Sequence, residues 1–152
     1  MIQPQTLEIR NGEKIPAIFS KKEMDNRLQA IRSLMEEQKL DGILFTSFHN
    51  INYFDHFLYT AFGRNYGLVV TRDRICSVTA NIDGGQPWRR GVGENLIYTD
   101  WQRDNFFAAV QGLLKGSQKV GVGYDHLSLQ NLEKLKYVLP QTDFADISET
   151  VM

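Results

Sequence analysis

The sequence predicts a three-layer α/β domain in which helices cover a mixed sheet of five or six strands. Short apolar runs typical of buried strands alternate with longer segments of helical periodicity. Two of these runs are separated only by Arg72–Arg74, so they are expected to pair antiparallel, whereas the other connections are long enough to hold a helix. The length of 152 residues suits a single domain with a sizeable core.

The N-terminal quarter predicts an arm followed by a helix and a strand. Residues 1–19 read as an arm or hairpin, because apolar residues flank the turn signal Asn11-Gly12. Ser20 has capping-box spacing to Glu23 and marks a helix start. The apolar face of this helix would consist of Met24, Leu28, Ile31 and Met35. The residues Ile43–Thr46 are predicted to form the beginning of a strand.

The rest of the chain continues the alternation. Strands are predicted at Gly67–Thr71, Ile75–Thr79, Leu96–Tyr98, Lys119–Val122 and Phe144–Ile147. Helices are predicted at Asn50–Phe57, Asp100–Leu114 and Leu127–Leu139. Trp101 and Phe106 are expected to point inward from the second helix, and Pro140 stops the third. Ser148 is expected to cap one more helix, of which only the first residues are present.

Composition excludes several classes of partner. Seventeen basic and eighteen acidic residues give no electrostatic footprint for nucleic acid or an anionic membrane, so neither partner is expected. No apolar run approaches the length of a membrane span. The lone Cys76 excludes an internal disulfide and fits a reducing, cytoplasmic compartment. Because it lies in an apolar strand, Cys76 is predicted to belong to the core.

The spacing of chemically active residues does not predict a metal, cofactor or nucleophile site. His49 and His56 stand seven residues apart with no cysteine or glutamate to complete a ligand set, and His126 is expected to cap a helix. Both GxG pairs lack the third glycine of a dinucleotide fingerprint, and no serine lies in a nucleophile elbow. The aspartates at turns are interpreted as capping residues: Asp83, Asp100, Asp104 and Asp125.

Two glycine-containing segments hold candidate binding residues. Arg64 stands between Gly63 and Gly67, and an aromatic-rich stretch precedes it. An arginine presented in this way can bind a carboxylate through two hydrogen bonds; the alternative is a solvated arginine on a surface loop. The segment Asp83–Arg90 permits two interpretations, a packed loop with solvated arginines or a subunit contact anchored by Trp88.

Three stretches of the sequence resemble one known family. They are Phe45–Thr71, Ala80–Arg90 and Tyr98–Ala109, and together they resemble the N-terminal domain of the creatinase family within the pita-bread superfamily. The resemblance extends from about Leu7 to Asp146 and implies a ribonuclease-H-like fold. It also implies that residues 1–152 are one N-terminal domain, with 148–152 starting a linker helix to a C-terminal catalytic domain.

The resemblance implies a function for the intact enzyme. Creatine would be hydrolysed to sarcosine and urea by a cytoplasmic homodimer that needs no metal or cofactor. Phe62 and Arg64 would bind substrate in the active site of the other subunit, with Arg64 on the creatine carboxylate. The catalytic residues would lie in the C-terminal domain, so this chain alone should be inactive. Two alternatives stay open: the N-terminal domain of a Xaa-Pro dipeptidase or aminopeptidase, and a standalone ligand-binding or dimerisation module.

Overall fold

The computed structural model describes residues 4–57 and 63–151. Within these ranges the chain forms seven strands and five α-helices. The strands are β1 (Thr6–Leu7), β2 (Gly42–Phe45), β3 (Gly67–Thr71), β4 (Ile75–Ala80), β5 (Glu94–Tyr98), β6 (Lys119–Val122) and β7 (Asp143–Asp146). The helices are α1 (Lys21–Glu37), α2 (Phe48–Asp55), α3 (Gln86–Arg90), α4 (Asn105–Leu114) and α5 (Leu129–Val138).

The described strands form one mixed sheet in the order β1-β5-β4-β3-β2-β6-β7. Strands β2, β4, β5, β6 and β7 run in one direction, while β1 and β3 run antiparallel to their neighbours. The ends of the parallel strands therefore meet the start of β3 along one margin of the sheet. We call this margin the carboxyl edge. It is where ligands bind in many open α/β sheets.

The central strands are buried on both faces, as the predicted three-layer class requires. All four residues of β2 and most residues of β3 and β4 are buried.

The predicted start of α1 is confirmed, because Ser20 Oγ accepts a hydrogen bond from Glu23 N at 3.1 Å. Three of the four predicted face residues of α1 are buried in the core, and Leu28 packs against it. Cys76 is buried, as predicted.

Of the two forms predicted for residues 1–19, an arm or a hairpin, the described residues form an arm that pairs with the sheet. Thr6–Leu7 pairs antiparallel with β5, with Thr6 opposite Tyr98 and Leu7 opposite Ile97. This pairing adds a seventh strand to the five or six that were predicted. A strand of two residues has no visible sequence period and exists only because the edge of β5 is available to it. At the predicted turn Asn11-Gly12 the chain bends, and Gly12 adopts φ 77°.

Further predictions need correction at the start of α4, at Trp101 and in the segment Asp83–Arg90. Helix α4 begins at Asn105, not at Asp100, and Trp101 is 49% exposed, with its indole N–H donating to Pro4 O at 2.9 Å. Helix α3 lies in a segment that was interpreted as a loop. Among residues 148–151 the chain makes a turn, in which Thr150 N donates to Ile147 O. Because Met152 lies outside the described residues, the linker helix stays a prediction.

None of the helices within the described ranges has both the length and the apolarity needed to cross a membrane.

Candidate functional site

Arg64 lies at the carboxyl edge, in the loop that leads into β3. Gly63 adopts φ 71°, a conformation that favours glycine, and directs the chain into Arg64. The Arg64 side chain is 40% exposed, as predicted for a residue on the domain surface. Its predicted companion Phe62 lies outside the described residues.

An ion pair holds the Arg64 side chain. Arg64 Nη1 donates to Asp100 Oδ1 at 2.6 Å, and the Asp100 side chain is 29% exposed. These two residues line an open pocket of about 310 Å³ together with Gly63, Tyr98 and Arg103. We call it the arginine pocket. It brings together two guanidinium groups and one carboxylate, so its charge favours an anionic ligand.

The backbone next to Arg64 is tied to the body of the domain. The Tyr98 hydroxyl donates to Asn65 O at 2.9 Å, and Asn131 Nδ2 donates to Asn65 Oδ1 at 3.3 Å. The Tyr66 hydroxyl donates to Asp83 Oδ2. These contacts come from three separate parts of the chain, so they fix the residues that follow Arg64.

Burial keeps the two tyrosines of this region in their neutral form. It raises the pKa of Tyr98 to about 12, and the nearby Asp100 charge acts in the same direction. Burial and the bond to Asp83 also raise the pKa of Tyr66. Both phenols therefore remain hydrogen-bond donors at neutral pH, and among the described residues that line the arginine pocket the charged groups are Arg64, Arg103 and Asp100.

The second glycine-containing segment contacts the N-terminal arm of the same chain. Arg89 Nη1 donates to Asn11 Oδ1 at 2.6 Å, and Ile15 N donates to Arg89 O at 2.7 Å. Lys14 Nζ donates to Trp88 O at 2.7 Å and lies 4.8 Å from the centre of the Trp88 ring. We call residues 84–93 the arm seat. The interpretation as a packed loop with solvated arginines does not hold for Arg89, which binds Asn11, and the subunit contact at Trp88 stays a prediction.

A buried carboxyl group lies beneath the arm seat. Asp55 Oδ1 accepts from Gly93 N at 2.7 Å, while Oδ2 is buried without a hydrogen-bond partner among the described residues. Burial raises the pKa of Asp55 to about 7, although the hydrogen bond from Gly93 and the charge of Lys14 oppose the shift. For the pKa of Asp55, the loss of solvation therefore outweighs the hydrogen bond from Gly93 and the charge of Lys14.

The histidines take part in separate local contacts. His126 Nδ1 lies 3.0 Å from Thr46 Oγ1, and His56 Nε2 accepts from Ile18 N at 3.3 Å. Helix α5 is capped by Ser128, not by His126. In the part of the chain that the structure describes, no three residues of the types His, Cys, Asp and Glu are grouped to hold a metal ion.

Sequence reasoning missed the acidic partners of the candidate site. Asp83 and Asp100 were interpreted as capping residues, yet they bind Tyr66 and Arg64. Asp104 makes no side-chain cap bond and pairs with Lys134 at 2.7 Å. One signal was available for Asp100, since it follows the predicted strand ending at Tyr98 and parallel strands end at a common edge. The sequence does not show that Arg64 reaches the same edge.

The fold and the site together define an α/β domain that presents an arginine at the open carboxyl edge of a mixed sheet. The Creatinase/Prolidase N-terminal domain family matches residues 27–152. The chain belongs to this family.

Similar proteins include both kinds of enzyme in the name of the family. The creatinase of Bacillus sp. (strain B-0618) is 47% identical over 145 residues, which cover 93% of this chain and 35% of the relative. This chain therefore spans about a third of the length of that curated relative. A proline dipeptidase from Streptococcus pneumoniae TIGR4 superposes with a TM-score of 0.74 at 22% identity, covering 82% of this chain and 93% of that chain. For a Xaa-Pro dipeptidase from Bacillus anthracis the TM-score is 0.68 at 22% identity, with 82% and 34% covered. At these identities the two solved structures show the fold alone.

Proposed function

We propose that this chain is the N-terminal domain of a creatinase, an enzyme that hydrolyses creatine to sarcosine and urea. The observation that carries the proposal is the 47% identity to a creatinase over 93% of the chain. The two peptidase structures superpose well but are only 22% identical. The domain supplies part of the substrate pocket, and the groups that act on the amidino carbon belong to a C-terminal catalytic domain. The isolated chain is inactive.

Arg64 binds the carboxylate of creatine in this proposal. Its guanidinium is half-exposed at an open pocket whose charged groups suit an anion. A charge-assisted hydrogen-bond pair to a carboxylate contributes about 1.5–3 kcal/mol, and lysine cannot reproduce the two-pronged geometry. In the same proposal Phe62 lines the substrate pocket in the complete enzyme, against the apolar or the guanidino part of creatine.

The enzyme acts as a cytoplasmic homodimer in which each N-terminal domain completes the site of the other subunit. The open side of the arginine pocket supports this arrangement, because a bound substrate there would need a further wall from outside the domain. The buried lone Cys76 suits a reducing compartment.

The substrate is tested by assaying the complete enzyme for release of sarcosine and urea from creatine. In that enzyme, Arg64→Ala should lower kcat/KM for creatine by roughly ten- to a hundredfold. Arg72→Ala is the matched control, because Arg72 is an exposed arginine in the turn between β3 and β4, at the opposite margin of the sheet. Cleavage of Xaa-Pro dipeptides, with no turnover of creatine, would establish the peptidase alternative instead.

The contribution across the dimer is tested by mixing an impaired variant with an inactive one. Subunits with Arg64→Ala are combined with subunits that lack the catalytic histidine of the C-terminal domain. Heterodimers should recover activity, because one of their two sites then contains both intact parts. If heterodimers form and activity does not rise above that of the Arg64→Ala variant alone, Arg64 does not act across the subunit boundary.

A further inference from the structure

Hydrogen bonds hold the residues on both sides of Asp100 in place. Both of its neighbours are bound to the N-terminal arm: Thr99 Oγ1 donates to Pro4 O at 2.7 Å, and Trp101 Nε1 donates to the same carbonyl at 2.9 Å. Asn105 Nδ2 donates to Thr99 O at 3.3 Å. These contacts fix the backbone on both sides of Asp100, so its carboxylate has a defined position at the carboxyl edge.

The contact between Asp100 and Arg64 uses one corner of the guanidinium. Asp100 Oδ1 lies 2.6 Å from Arg64 Nη1. The Arg64 side chain makes no other hydrogen bond to a described residue. Nε and Nη2 lie along a different edge of the guanidinium plane and can bind both oxygens of one carboxylate. A ligand carboxylate can therefore bind Arg64 while Asp100 stays in place.

We infer that Asp100 is the positioning residue for Arg64, holding its Nη1 so that the Nε–Nη2 edge is available to the substrate carboxylate. The inference rests on the proposed function, because it takes the carboxylate of creatine as the ligand. Without Asp100 the long Arg64 side chain must be ordered at the moment of binding, which costs conformational entropy.

Arg103 supplies the balancing charge in this arrangement. It lines the arginine pocket with Arg64 and Asp100, and its charge reaches the Tyr98 phenol that lies at the pocket wall. With two guanidinium groups against one carboxylate, the pocket retains one net positive charge to attract the carboxylate of the substrate. Asp100 can therefore orient Arg64 without cancelling the attraction for the substrate.

The kinetic test uses Asp100→Asn in the complete enzyme, since asparagine keeps the size of the side chain and removes its charge. We expect a roughly three- to tenfold rise in KM for creatine with kcat nearly unchanged, because a half-exposed ion pair contributes little energy and acts on binding. In an Arg64→Ala background the same substitution should have no further effect. Asp104→Asn is the matched control, an exposed aspartate that pairs with Lys134 instead.

Three other outcomes of these kinetic measurements would overturn the inference. A lower KM in Asp100→Asn would mean that Asp100 competes with the substrate, and a lower kcat at constant KM would indicate a purely structural role. Additive effects in the Arg64→Ala background would also overturn the inference, because Asp100 would then act on its own.

A second readout needs no substrate and separates this inference from the proposed function. In the 152-residue chain, rotation of the Arg64 guanidinium about its Nε–Cζ bond is followed by nuclear magnetic resonance, because the hydrogen bond from Nη1 to Asp100 restrains that rotation. Asp100→Ala, which removes the acceptor, should speed the rotation by roughly threefold, and Asp100→Asn, which removes only the charge, by less. Unchanged rotation in both variants would refute positioning by Asp100. If positioning is found but the complete enzyme does not hydrolyse creatine, the proposed function alone fails.

Discussion

The loop containing Arg64 and the arm seat containing Arg89 look alike in sequence but present their arginines differently. Each arginine lies close to a glycine with positive φ, at 71° for Gly63 and 93° for Gly85. Arg89 binds Asn11 of the N-terminal arm, whereas Arg64 pairs with Asp100 at an open pocket. The difference arises because a distant part of the chain returns to cover one loop and not the other. A glycine beside an arginine therefore indicates a special backbone, and the covering segment decides whether the guanidinium can meet a ligand.

The two regions also differ in how far their carboxyl groups are buried. The arm seat lies over Asp55, which is fully buried and has one carboxyl oxygen without a hydrogen-bond partner among the described residues. The arginine pocket instead has Asp100, which remains in contact with solvent. We therefore expect changes at the arm seat to act on stability and changes at the arginine pocket to act on binding.

The largest effect is expected from the pH dependence of stability at Asp55. Burial raises its pKa from the ordinary 3.8 to about 7, so on raising the pH the unfolded chain releases this proton first. The contribution of Asp55 to the free energy of unfolding should therefore fall by about 1.4 kcal/mol per pH unit between about pH 4 and pH 7. Asp55→Asn should remove this decline.

Urea unfolding of the wild type and Asp55→Asn between pH 4 and pH 8 measures this difference. At pH 8 the carboxyl group is mostly ionised in both folded and unfolded wild type, so the two profiles should become parallel there and that end of the series is the internal control. Profiles that are parallel over the whole series would show that Asp55 titrates normally and that its burial carries no penalty.

The next largest effect is expected from Gly85→Ala. A Cβ at this position would lie 2.5 Å from Asn11 Oδ1 and 2.7 Å from Arg89 Nη1, and the backbone has positive φ. The free energy of unfolding should fall by on the order of 3 kcal/mol. Limited proteolysis should cut the arm sooner than in the wild type.

Gly63→Ala is the matched variant in the other region. Its backbone also has positive φ, but among the described residues nothing lies within 4 Å of a Cβ there. It should therefore show only the backbone strain, about 1 kcal/mol. Equal losses in urea unfolding for the two glycine variants would contradict the difference between covered and open loops.

A smaller effect is expected from the two arginines themselves. Arg89→Ala removes a charge-assisted bond to the arm and should lower the free energy of unfolding by about 1.5 kcal/mol. Arg64→Ala should change it by less than about 0.5 kcal/mol, because its ion pair is half-exposed. Thermal unfolding of both variants checks this order. A larger loss of stability for Arg64→Ala than for Arg89→Ala would contradict the description of the Arg64 loop as open and the arm seat as covered.

Much of the fold could be predicted because local patterns specify it. The cap at Ser20 and the 3.6-residue period defined α1, and the apolar runs defined the buried strands. The start of α4 was predicted too early, since Trp101 continues the apolar pattern of the helix although its indole binds Pro4 on the surface. For the candidate site, the sequence singled out Arg64, whose role stays a prediction, whereas its partner Asp100 was taken for a capping residue.

The sequence by itself determined the class of the domain, its main elements, the family resemblance and the conspicuous arginine between two glycines. These depend on residues close to one another in the chain, where periodicity, caps and turn residues act directly. Only the tertiary structure decided that Thr6–Leu7 completes the sheet, that Arg89 binds the arm and that Asp100 binds Arg64. These contacts join residues 36 to 92 positions apart, as with Arg64 and Asp100 or Thr6 and Tyr98, and no local pattern records which strand ends will meet at one edge.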